Sequence, residues 1–153
     1  MSKHSKKARE LFEKGYNCSQ AVLLSFADEI GLDEQTILKI SSSFGAGMGR
    51  MREVCGAVSG MFMVAGMMYG YTDPYDHKTK TEHYKRIQYL AEKFKEENTS
   101  IVCRELLGLS AKVNNSSLEK TTIPHKKKRP CSELVEQAVE IMDEYIENNN
   151  LEE

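Results

Sequence analysis

The sequence predicts an all-α fold: a single-domain bundle of five to seven helices around a glycine-rich central helix. Three observations point there. Apolar residues recur at three- and four-residue spacing along most of the chain, N-cap and C-cap residues bracket those stretches, and no run keeps the two-residue period of a strand. A length of 153 residues suits one domain, so 1–153 is expected to fold around one core.

Ala8, Leu11 and Phe12 give a first helix over about Ser5 to Lys14, stopped by Gly15. Asn17 caps a second that is apolar around most of its circumference (Ala21, Val22, Leu23, Leu24, Phe26, Ala27) and closes at Gly31. Asp33 caps a third, carrying Ile37, Leu38 and Ile40, which runs into a flexible connection, Phe44 to Gly49. The fourth, Val54 to about Tyr71, has no formal charge, and Asp73-Pro74 ends it. A long amphipathic helix follows, with Tyr84, Ile87, Leu90, Ala91 and Phe94 inward and Lys85, Arg86, Glu92, Lys93 and Lys95 outward. Thr99 or Ser100 caps a short helix ending at Gly108, and 110–130 reads as a surface loop. Pro130 starts the last helix, striped by Leu134, Val135, Ala138, Ile141, Met142 and Tyr145.

With 21 Lys and Arg against 23 Asp and Glu, the net charge of -2 gives no drive toward nucleic acid. The basic run His125 to Arg129 reads as a solvated loop. Glycines dilute the uncharged helix, so it reads as buried and not as a membrane span. No signal peptide is evident, and the cytoplasm is the expected compartment. Gly45-x-Gly47-x-Gly49 follows a helix and lacks dinucleotide-loop spacing. His4, His77 and His83 read as surface residues, and the methionines around the glycine-rich segment read as core filling.

The chemistry lies in four cysteines. Cys18, Cys55, Cys103 and Cys131 each fall in or just before the first turn of a predicted helix. There the unpaired N–H groups and the helix dipole favour a thiolate and are expected to lower the thiol pKa. Four is also the ligand count of an all-thiolate zinc site and of an iron–sulfur cluster. Separations of 37, 48 and 28 positions contain no C-x-x-C pair, so the zinc-ribbon, ferredoxin and thioredoxin signatures are absent. Gly56 and Gly60 leave the helix surface bare for close approach of a neighbouring helix or of a cluster.

Gly15 to Val22, Phe44 to Gly49, Cys55-Gly56-Ala57-Val58-Ser59-Gly60, Cys103 to Gly108 and the late Cys131 together closely resemble the C_GCAxxG_C_C family of redox-active proteins, over about Ala8 to Ile146. The resemblance implies a small prokaryotic protein defined by four cysteines, all present here. It is also similar to the non-haem part of split-Soret cytochromes c, which holds a two-iron cluster; C-x-x-C-H is missing, so haem does not carry over. An oxidoreductase or electron-transfer component is therefore expected, holding an iron–sulfur cluster, 2Fe–2S favoured, through Cys18, Cys55, Cys103 and Cys131, with Gly56 and Gly60 beside it. The alternatives are a metal-free thiol–disulfide protein and a structural four-cysteine zinc protein that binds a partner through 110–130. The expected partner is a redox protein, and the Met- and Gly-rich helix offers a face on which two copies could pair.

Overall fold

The computed structural model describes residues 2–108 and 131–152; the 110–130 loop, with the basic run, lies outside them. The helices are α1 (Lys3–Glu13), α2 (Cys18–Ser25), α3 (Ala27–Ile30), α4 (Glu34–Ser42), α5 (Gly45–Met48), α6 (Gly56–Tyr69), α7 (His77–Asn98), α8 (Cys103–Leu106) and α9 (Cys131–Glu152). Among the described residues six of these are eight residues or longer, the rest are single turns, and the only β pairing is an isolated antiparallel bridge, Val54 to Val102.

The centre is the crossing of α2 and α6, both apolar on nearly every side. Ala21, Val22, Leu23 and Leu24 of α2 and Ala57, Val58, Met61, Val64 and Ala65 of α6 are buried. The crossing is close because Gly60 has no side chain: a Cβ there would stand 2.8 Å from Val22 Cβ and 3.0 Å from the Ser19 carbonyl. α1 and α9 close one side through Ala8, Val135, Ala138 and Met142; α7 covers another through Leu90 and Phe94. His4 pins α1 to its neighbours, with Nδ1 2.8 Å from Asp143 Oδ1, Nε2 2.7 Å from Glu29 Oε1, and its ring stacked on Phe26. Among the described residues no helix is long and apolar enough to cross a membrane.

Caps set several boundaries as expected. Asn17 and Gln20 form a capping box on α2, the Asp33 carboxylate accepts from Thr36 N–H on α4, and Gly31 takes the left-handed C-cap. Other expectations need correction. The second helix breaks at Phe26, whose φ of -105° and ψ of 18° separate α2 from α3. Ile40 faces solvent, because the inward positions of α4 are Ile37 and Ser41, one turn apart. On α7, Tyr84 is about half exposed while His83 is buried and Arg86 half-buried. His83 lies under Tyr71, with Arg86 Nη1 2.9 Å from its Nδ1; burial first, then the Arg86 charge, holds its pKa below the usual histidine value. Arg86 also lies over Tyr69 and donates to the Tyr145 hydroxyl, so the first half of α7 rests on tyrosines, not on an aliphatic stripe. The cap of α8 is Val102; Thr99 ends α7 in a left-handed conformation, and Ser100 Oγ accepts from Val102 N–H.

Candidate functional site

Each cysteine stands at a helix start: Cys18, Cys103 and Cys131 are the first residues of α2, α8 and α9, and Cys55 is the N-cap of α6. The Val54–Val102 bridge brings two of these starts together, because Cys55 N–H donates to the Ile101 carbonyl at 2.7 Å and Cys103 N–H to the Glu53 carbonyl. α2 and α9, packed along the core, bring the other two. All four cysteines line one cavity of about 30 Å³, space for about two water molecules. Its remaining lining is Ala46, Gly56, Leu106, Leu107 and Leu134, with one charged residue, Arg52. Cys55 and Cys103 are buried, Cys18 and Cys131 half-buried, and all four are free thiols.

Gly56 belongs to this cavity: a Cβ there would overlap Cys18 Sγ and come within 2.9 Å of the Phe44 carbonyl. Gly60 lies one turn along α6, against α2. The expected methionine filling holds for Met61, which is buried in the core, whereas Met51 and Met67 are exposed.

The glycine-rich connection is an ordered left-handed turn. Ala46, Gly47, Met48, Gly49 and Arg50 all have φ between 56° and 70°, and Arg52 adds 59°. Each non-glycine residue so held costs about 1–2 kcal/mol. The turn is fixed by Gly49 N–H to the Gly45 carbonyl and Glu53 N–H to the Gly47 carbonyl, both 2.9 Å, and by Arg104, which donates to the Met51 carbonyl and pairs with Glu53. Gly47 has no room for a side chain: a Cβ would stand 2.6 Å from Cys103 Cβ and 2.7 Å from Arg52 Cα. Strain of this kind concentrates at functional sites.

Arg52 was not visible as a site residue from composition or spacing. Its sequence signal is an arginine between a glycine-rich run and a cysteine three positions on. In the fold it is 8% exposed, its Nη1 is 3.8 Å from Cys103 Sγ, and its buried Nε has no hydrogen-bond partner among the described residues.

At Cys55, Cys103 and Cys131 the expectation of a lowered thiol pKa is overturned. Burial pushes the Cys131 thiol up to about 12, with the Cys18 and Cys103 charges adding to it. Burial, then Cys18, raises Cys55 well above its usual value; burial raises Cys103 against the opposing Arg52 contact. The magnitudes explain the sign. A helix terminus contributes about 0.3–1 kcal/mol to a nearby charge, at most about 2, whereas three pKa units correspond to about 4 kcal/mol. Desolvation wins, and these three cysteines are neutral thiols near pH 7 in the metal-free protein.

Among the described residues no three His, Cys, Asp or Glu side chains are grouped as a single metal ion requires. Four thiolates on one zinc at about 2.3 Å would lie within about 3.8 Å of one another. No match to a curated protein or to a solved structure was found. Residues 16–145, most of the chain and all four cysteines, match the profile of the family described as putative redox-active protein (C_GCAxxG_C_C). The chain belongs to that C_GCAxxG_C_C redox-active family.

Proposed function

We propose that the cysteine cavity binds an iron–sulfur cluster of the two-iron type and that the protein is a cytoplasmic electron-transfer or redox-sensing component. The observation that carries this is the arrival of four helix starts, each bearing a cysteine, at one small cavity. Thiolate is the ligand such clusters take, four is their number, and two irons share the four ligands in pairs, a looser demand than one tetrahedral zinc makes. When bound, the cluster supplies one-electron chemistry. The chain's own residues do the rest. Cys18, Cys55, Cys103 and Cys131 give up their protons on binding, Gly56 leaves Cys18 room, and Leu106, Leu107 and Leu134 keep water away.

Thiol–disulfide exchange is the weaker alternative, because it needs a thiolate and burial disfavours that form at three of the four cysteines. The test is purification without oxygen of the wild type and of Cys55→Ser and Cys103→Ser. The wild type is expected to carry iron and visible charge-transfer bands, and both variants to lose most of the iron. Unchanged iron in the variants contradicts the proposal. Zinc without visible absorption would instead favour the structural site, and a metal-free protein losing two thiols on mild oxidation would favour dithiol chemistry.

A further inference from the structure

Arg52 is the only charged side chain lining the cysteine cavity among the described residues. A guanidinium keeps its charge at any pH at which the chain folds, and a buried charge without an opposite one is among the costliest groups a fold can hold. Among the described residues no carboxylate pairs with Arg52: Glu53, next in sequence, pairs with Arg104. Among the described residues its Nε has no acceptor, and Nη1 reaches Cys103 Sγ at 3.8 Å. The backbone is committed to this placement, with Arg52 itself at φ 59° and Gly47 bare where a Cβ would collide with both Arg52 and Cys103. A strained guanidinium among four thiols, with no carboxylate partner among the described residues, calls for negative charge in the cavity.

We propose that Arg52 is a positioning residue for the cysteine-bound group: it balances the charge of that group, donates to Cys103 Sγ, and thereby favours the reduced state. The role rests on the iron–sulfur proposal above. The electron comes from an external low-potential reductant, sodium dithionite in the test. Arg52 forms and breaks no covalent bond, keeps its protons, and faces one further unit of negative charge. Hydrogen bonds to cluster sulfurs and nearby cations raise reduction potentials by this route.

The test compares wild type, Arg52→Gln and Arg52→Lys, each purified without oxygen, by iron content and by dithionite titration with mediator dyes. At the potential where half of the wild type is reduced, the ratio of reduced to oxidised Arg52→Gln is expected to fall about tenfold or more, with Arg52→Lys in between. Iron retained by Arg52→Lys but lost by Arg52→Gln also supports charge balance. An unchanged potential in loaded Arg52→Gln, or loss of iron from both variants, overturns the role. A wild type that binds no iron refutes the iron–sulfur proposal itself, a distinct result from loaded variants that behave like wild type.

Discussion

Gly60 and Gly66 lie on the same helix, α6, and differ in what surrounds them, so their alanine variants form a controlled pair. At Gly60 a Cβ would stand 2.8 Å from Val22 Cβ and 3.0 Å from the Ser19 carbonyl; at Gly66 it meets nothing within 4 Å. Both substitutions gain about 1 kcal/mol of helix propensity, because alanine loses less backbone freedom on folding. At Gly60 that gain opposes an overpacking cost of about 1–3 kcal/mol, since the atoms in the way belong to the neighbouring helix and cannot simply swing aside. Gly66→Ala should therefore stabilise by about 1 kcal/mol, and Gly60→Ala should fall about 1–3 kcal/mol below it, the propensity terms cancelling. Urea unfolding of the reduced, metal-free protein with unchanged slope reads the difference. In thermal melts a chain of this length shows about 2–4 °C per kcal/mol. Equal stability of the two variants would refute the close α2–α6 crossing and the reason given for glycine at position 60.

Two further outcomes follow from the caps and the buried thiols. Asn17→Ala removes the acceptor for Gln20 N–H and the donor to the Ser42 carbonyl, and should cost about 0.5–2 kcal/mol in the same unfolding assay; Asn17→Asp, which keeps the acceptor, should recover part of it. For Cys131, the folded thiol pKa is raised from 9.0 to about 12, so the folded state holds the proton longer than the unfolded chain. The associated stability, up to about 4 kcal/mol, is fully present below about pH 9 and is lost as the pH climbs toward 12. Unfolding of the reduced, metal-free protein at pH 8, 10 and 11 should show that decline, steeper in wild type than in Cys131→Ala. Identical pH profiles would contradict the burial of Cys131.

Sequence periodicity made the helices legible where one apolar face was enough to define them. Asn17, Asp33 and Gly31 mark their boundaries through local hydrogen bonds and a left-handed backbone, which depend on a few adjacent residues. The placement of every cysteine at a helix start was readable for the same reason. That those starts share one site was expected from the family resemblance and not from local pattern, because it depends on the Val54–Val102 bridge and the crossing of α2 with α6, contacts between residues far apart in sequence. The left-handed conformations of Ala46, Met48 and Arg50 ran against their own preferences, so composition alone suggested a flexible connection. The pKa values of Cys55, Cys103 and Cys131 went the other way from the local expectation because a helix terminus is visible in sequence and the depth of burial is not. Arg52 went unread as a site residue and His83 was read as a surface residue for one reason: a charged or titratable residue reads as solvent-facing until the tertiary fold encloses it.

Under the proposed function, four thiols from four helix starts act as one metal-binding unit. Iron and acid-labile sulfide analysis of the chain purified without oxygen tests it most directly. About two irons and two sulfides per chain are expected, with visible absorption that disappears when any one of Cys18, Cys55, Cys103 or Cys131 is replaced by alanine. A protein that takes up no iron even when supplied with ferrous iron and sulfide under reducing conditions, while all four thiols remain titratable, would contradict it.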